Sequence, residues 1–291
     1  MRLVLALLCA ALGALLLVPP SSDSPYVRDD IRIPVADGHY SLAVTILRPR
    51  GEGPFGAIVL NHGVGEGVRD RFLESPTLFI QAASAFVGRG YAVVMPLRRG
   101  FGETGGAFAE DAGDCRSPQY GRGERAAAND VLAAYEFARK LPYVDSGRMI
   151  LAGQSAGGVA SLYAAAQQPA GLMAVLAFAA GRGGNPARHP GIPCAAEALA
   201  ALFQDLGVSV RVPVLMYYAE NDLYFGPAAS RSWFQRFKAG GVEAEYVLHP
   251  PFGADGHFVF GDSKGVELWL PTVERFLERH RIAFDPARQR S

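Results

Sequence analysis

The chain has 291 residues, 49% of them hydrophobic and 19% charged, with a formal net charge of +0. Length and apolar content suit one large α/β domain, or such a domain with a small lid. The balanced charge provides no electrostatic footprint for nucleic acid, which excludes that partner class.

The N-terminus reads as a targeting segment. Arg2 precedes an unbroken apolar run from Leu3 to Val18, followed by Pro19-Pro20-Ser21-Ser22-Asp23-Ser24. A short basic start, an apolar core and a polar exit make a signal peptide. The exit has no good Ala-x-Ala cleavage site, which leaves an uncleaved anchor, and so a membrane tether, open. The run is short for a spanning helix, which needs ~20 residues. Residues 1–24 are therefore set apart as signal peptide or anchor, and 25–291 as the folded domain. The protein is expected to be exported, to the periplasm or beyond the cell. Cys9 lies in the apolar run and is read as removed or inert. Cys115 and Cys194 then remain, and an even count in an exported chain predicts one disulfide. Two free buried thiols are the alternative.

Alternation of Ile31, Ile33 and Val35, then Tyr40, Leu42, Val44 and Ile46, predicts a β-hairpin over Asp30–Pro49 with Asp37-Gly38 as its turn. Ala57 to Leu60 is a fully apolar strand running into Asn61-His62-Gly63-Val64-Gly65-Glu66-Gly67. Ser75-Pro76 opens a helix to about Gly88, with Ser75 as N-cap and Pro76 at the first helical position. Tyr91 to Met95 is a strand, and a long loop from Pro96 to about Gly123 follows, of a length that is usually functional. Glu124 to Leu141 is helical. Met149 to Ala152 is a strand ending in Gly153-Gln154-Ser155-Ala156-Gly157-Gly158. The next helix ends near Gln168-Pro169, and Met173 to Ala179 is a strand. Residues 181–212 read as a lid-like insertion with a short helix over Ala195–Leu206. Val214 to Tyr218 is a strand, Pro227 opens a helix to about Ala239, and Tyr246 to Leu248 is the last strand. Val266, Leu270, Val273, Phe276 and Leu277 have helical spacing. Strands alternating with helices of ten residues or more predict a mostly parallel sheet covered on both faces. Right-handed crossovers place the loops that follow the strands on one edge.

The stretch around Ser155 carries the chemistry. A serine hydroxyl is a weak nucleophile and needs a base within reach. Gly-x-Ser-x-Gly between a strand and a helix is a sharp elbow that projects the hydroxyl above the sheet, and the helix N-terminus then faces any oxyanion forming there. By itself the motif also fits a plain Gly-rich turn. The order Ser155, Asp222, His257 removes that ambiguity: an acid after one strand and a histidine in the last loop complete a nucleophile, orienter and base. The backbone N–H groups of Val64 and Ala156 would form the oxyanion hole. Glu220 is the rival acid, and Asp222 is favoured because it lies further into the loop. His62 reads as a brace for the oxyanion loop and His249 as structural. His39 sits beside the hairpin turn, while His189 and His280 read as solvent-facing. Trp233 and Trp269 read as helix-packing residues. No His/Cys cluster has metal-ligand spacing and no phosphate loop follows a first strand, so neither metal nor cofactor is expected.

With these residues in place, the chain resembles the α/β-hydrolase superfamily from about Asp30 to Arg281, and its dienelactone-hydrolase-like and prolyl-oligopeptidase-like members above all. The matching motifs are Asn61-His62-Gly63, Arg99-Gly100-Phe101-Gly102, the Gly153–Gly158 elbow, Glu220-Asn221-Asp222 and Gly256-His257. It departs at Ser155, where true dienelactone hydrolases carry cysteine, and no stretch matches the large propeller of prolyl oligopeptidases. The resemblance implies a serine hydrolase on a small-molecule ester or a peptide. The expected activity is cleavage of a carboxylic ester through an acyl-enzyme. Peptidase or amidase action, acyl transfer to another acceptor, and a non-catalytic binding protein are the alternatives.

Overall fold

A computed structural model describes residues 24–35, 40–65, 67–282 and 284. The expected signal segment lies outside the described residues, apart from Ser24, as do the Asp37-Gly38 turn and His39. Among the described residues no helix is long and apolar enough to cross a membrane.

Eight strands form one sheet in the order β1-β2-β4-β3-β5-β6-β7-β8. β1 (Tyr26–Pro34), β2 (Ser41–Pro49) and β4 (Tyr91–Pro96) pair antiparallel in that sequence. β3 (Phe55–Asn61), β5 (Val144–Gln154), β6 (Leu172–Phe178), β7 (Val214–Ala219) and β8 (Ala244–His249) continue the sheet from β4 in parallel. Strand residues point alternately to the two faces. In β5, Met149 and Leu151 therefore enter one core, with Ile150 and Ala152 in the other. The first core is covered by α3 (Tyr120–Ala138), α4 (Ala156–Ala165), α5 (Ala196–Ser209) and α6 (Pro227–Ala239). The second is covered by α2 (Ile80–Val87) and α7 (Ser263–Arg279), where Trp269 packs on Phe86 and Phe178 in one cluster with Tyr217 and Phe276. With both faces covered, β6, β7 and the Met149–Ala152 stretch of β5 are apolar.

Four local expectations change. The turn Pro76–Phe79 is a 3₁₀ turn, so α2 begins only at Ile80. A short helix, α1 (Val68–Phe72), stands in what reads as loop. α3 begins at Tyr120, four residues before the expected Glu124. Residues 181–212 are not a lid. They form the crossover from β6 to β7, and α5 buries Leu199, Phe203 and Leu206 in the first core.

Candidate active site

The loops that follow β3, β4, β5, β7 and β8 meet at one edge of the sheet, as parallel crossovers require. Ser155 joins β5 to α4 with φ 57° and ψ −127°. A non-glycine residue in that region is strained and is held only by its surroundings. Here the Ser155 N–H donates to the Phe178 carbonyl at 2.9 Å, and its own carbonyl accepts from Gly158 and Gly181. Gly157 is obligatory beside it. A Cβ there would lie 2.2 Å from the His62 carbonyl oxygen and 2.3 Å from that of Asn61. The bare backbone lets the elbow press against the end of β3. Ala156 heads α4, so its N–H belongs to the set that helix geometry leaves without intrahelical partners.

His257 sits in a 3₁₀ turn, Gly256–Phe258, and is almost fully buried. Its Nδ1 lies 3.0 and 3.1 Å from the two carboxylate oxygens of Asp222. A carboxylate only accepts, so Nδ1 carries the hydrogen and Nε2 is the basic nitrogen. Asp222 is itself fixed, its Oδ1 accepting from Tyr224 N and Phe225 N at 2.8 Å each. The imidazole stacks on Tyr224 with ring centroids 4.1 Å apart. Glu220, the rival acid, is exposed, while Asp222 is buried. Ser155, His257 and Val64 line one cavity of about 370 Å³, with Leu78, Phe79, Phe258, Tyr224 and Glu74 among its other walls. The structure thus brings Ser155, Asp222, His257 and the Val64 loop together.

Several supports lie outside the residues expected from the sequence. Asp255 Oδ1 accepts from His257 N at 2.9 Å and from Leu223 N at 3.0 Å, so one carboxylate fastens the histidine loop to the acid loop. The pattern Asp-x-His, an acid that can bond backbone two residues on, was the available clue. Gln154 Nε2 donates to the His257 carbonyl at 2.9 Å, tying the elbow to the same loop. The second support is a buried ionic cluster. Arg98 pairs with Glu110, and Arg182 bridges Glu110, at 2.9 Å, and Glu124. Arg98 also donates from Nη1 to the His62 carbonyl at 2.7 Å and from Nη2 to the Gly63 carbonyl at 3.3 Å. Burial works against the charge of Arg182, but Glu124 and Glu110 outweigh it and hold the guanidinium above its usual value. No periodicity marks such pairs in a sequence.

The other candidates fall elsewhere. His62 Nδ1 is 2.8 Å from the Gly63 carbonyl, and its Nε2 accepts from Arg98 N at 3.1 Å. Burial, with Arg98 nearby, pushes its pKa well down, so it stays neutral. His249 stacks on Tyr217 away from the cavity. His189 is exposed. His280 is not solvent-facing as expected: it caps α7, only 14% exposed at its side chain, 3.6 Å from both Glu243 and Glu245. Trp233 and Trp269 are fully buried and donate to the carbonyls of Ala196 and Phe260.

Cys115 and Cys194 form a disulfide with Cα atoms 5.5 Å apart. It joins the β4–α3 loop to the β6–β7 crossover, and Tyr120 Oη donates to the Cys194 carbonyl at 2.9 Å beside it. No described residue of the β4–α3 loop or of the β6–β7 crossover lines the cavity of Ser155.

Residues 37–213, more than half of the chain, match the family described as X-Pro dipeptidyl-peptidase (S15 family). The chain belongs to that family. No curated protein matches it in sequence. As an S15-family protein it is a serine hydrolase of the α/β-hydrolase fold, and solved structures agree on the fold. A protein assigned as a dienelactone hydrolase from Klebsiella pneumoniae superposes with TM-score 0.59 at 17% identity, over 87% of this chain and 99% of that one. An esterase from Pyrococcus furiosus gives 0.60 at 14% identity, over 87% and 90%. An acylaminoacyl peptidase from Pyrococcus horikoshii gives 0.60 at 17% identity, over 90% of this chain but 43% of that one. The S15-family chain therefore spans less than half the length of that peptidase.

Proposed function

We propose that the protein is an exported serine hydrolase that cleaves carboxylic esters through an acyl-enzyme. Ser155 is the nucleophile, His257 the base and then the acid, and Asp222 the group that orients the imidazole. The observation that carries this reading is that Ser155 and His257 line one cavity while His257 is bonded to a buried Asp222. In the first half-reaction Ser155 Oγ bonds to the ester carbonyl carbon, and its proton passes to His257 Nε2. The backbone N–H groups of Val64 and Ala156 receive the oxyanion, and the proton then leaves with the departing alcohol. Water repeats the sequence on the acyl-serine and releases the acid.

Support for an ester over a peptide comes from the lining. Leu78, Phe79 and Phe258 line the same cavity as Ser155. Such walls suit an acyl chain, whereas a peptide backbone brings N–H and C=O groups that need partners once buried. Peptide cleavage is the second reading, favoured by the description of the family matched. Export is supported by the Cys115–Cys194 bridge, since disulfides persist in oxidising compartments.

The test is labelling with a fluorophosphonate, followed by p-nitrophenyl esters of graded acyl length against aminoacyl p-nitroanilides. Ser155→Ala should abolish labelling and leave a residual rate ~10³–10⁴-fold over water. Labelling of a different serine would refute the nucleophile, and anilides outrunning esters would replace the ester reading with the peptidase one.

A further inference from the structure

One group in the cavity has no part in the steps above. Glu74 lies between α1 and the 3₁₀ turn and lines the wall of the Ser155 cavity. Its carboxylate makes no hydrogen bond or ion pair with any other described residue. Among the described residues the only other carboxylate in the lining, Asp262, is committed to the N-terminus of α7, where it accepts from Lys264 N at 2.8 Å and Gly265 N at 3.4 Å. No lysine or arginine lines this cavity among the described residues.

Glu74 also borders a neighbouring cavity of about 610 Å³ with Arg28, Asp30, Arg32 and Glu103. The two arginines there are engaged. Arg28 pairs with Asp30 at 2.9 Å, and Arg32 donates to the Glu103 carbonyl and to Ser41. Arg98, the cation whose field reaches Glu74, is consumed by Glu110 and by the carbonyls of His62 and Gly63. Asp70 on α1 and Glu110 add negative charge around it. A carboxylate without a cationic partner, in a lining with no described lysine or arginine, makes the field that a substrate meets negative.

We propose, resting on the ester reading above, that Glu74 is a specificity residue that bars carboxylate-bearing acyl groups from the pocket, so that the substrate class is the uncharged ester. A second negative charge placed within several ångströms of Glu74 is repelled, and partial burial reduces the screening that water would provide. Burial raises the Glu74 pKa to about 7. Above that pH the carboxylate is charged and the barrier stands; below it the group is neutral and the barrier falls. A substrate carboxylate, with an ordinary pKa near 4, stays ionised across the same range.

The experiment pairs two esters of equal acyl length, p-nitrophenyl valerate and mono-p-nitrophenyl glutarate, and reads the ratio of their kcat/KM values. Any pH effect on the chemical steps common to both esters cancels in the ratio. The wild-type preference for valerate should be about tenfold larger at pH 8 than in Glu74→Gln, the size expected of one like-charge contact at intermediate dielectric. In the wild type alone it should shrink between pH 8 and pH 6, and in Glu74→Gln it should not. Glu74→Leu, which removes the charge by another route, should relax the ratio at pH 8 in the same direction. A ratio that is flat with pH, or that both variants leave unchanged, overturns the assignment. If the wild type hydrolyses neither ester, the ester reading is at fault. Calorimetric binding of valeramide against glutaramate then decides Glu74 by the same ratio in wild type and Glu74→Gln.

Discussion

The back and the front of the cavity are built in opposite ways. Behind Ser155, Arg98, Glu110, Arg182 and Glu124 are almost completely buried and hold three segments together, and the Cys115–Cys194 bridge fastens two of them again. In front, α1 has no buried residue, and Val68, Phe72, Leu73 and Leu78 are 76%, 75%, 62% and 56% exposed. Phe258, on the opposite lip, is 55% exposed. The contrast separates two demands. Groups that transfer protons need fixed positions, and those positions cost buried charge to maintain. Groups that receive a variable acyl chain need apolar surface and freedom to adjust. The loop after β3 serves both, with His62 and Gly63 clamped by Arg98 and the chain only a few residues later open to solvent.

Breaking the fixed half at its chemical centre should have the largest effect. Asp222→Asn is expected to leave the fold intact and lower kcat on the order of 10⁴-fold, because the imidazole then takes the wrong tautomer. Glu220→Gln should change kcat little. Steady-state kinetics on both variants decides, and the reverse ranking would move the acid to Glu220.

Next comes the ionic cluster. Glu110→Ala strands two buried guanidinium groups and should cost about 3–5 kcal/mol of stability, read from urea unfolding. A loss below about 1 kcal/mol would mean that the back of the site is held by packing and the disulfide instead. The smallest effect belongs to the front. Leu78→Ala should change stability by no more than about 0.5 kcal/mol. It should still raise KM for a long-chain ester relative to acetate by about fourfold, the value of one buried methylene. An equal shift for both esters would remove Leu78 from the acyl path.

This division also separates what a sequence displays from what it conceals. The strands around Ser155 are legible because burial on both faces makes them uniformly apolar, and the elbow is legible because its glycines are demanded by backbone approach. Asp222 and His257 are legible by order along the chain. The cluster is not, because Arg98, Glu110, Glu124 and Arg182 are far apart in sequence and each alone looks like a solvated charge. Asp255 offers only its Asp-x-His spacing, two residues before His257. The start of α3 was misplaced by reading Gly121 and Gly123 as loop residues. Gly123 lies inside the helix because a Cβ there would come within 2.8 Å of the Glu110 carbonyl oxygen. Its cause is a tertiary contact rather than a helix stop. His280 was misjudged because the carboxylates that enclose it come from the approach to β8 and from β8 itself.

The Cys115–Cys194 bridge spans a sequence separation of 79 and encloses Ser155, while Asp222 and His257 lie outside the ring it makes. A single protease cut anywhere between the two cysteines would therefore leave one covalent molecule rather than two. α3, the elbow and β6 all fall within that interval, so the part of the chain that carries Ser155 has a second covalent path to the rest. Asp222 and His257 do not, and depend on an uninterrupted backbone after Cys194. In a protease-rich surrounding the two halves of the site thus differ in what one cut can do to them.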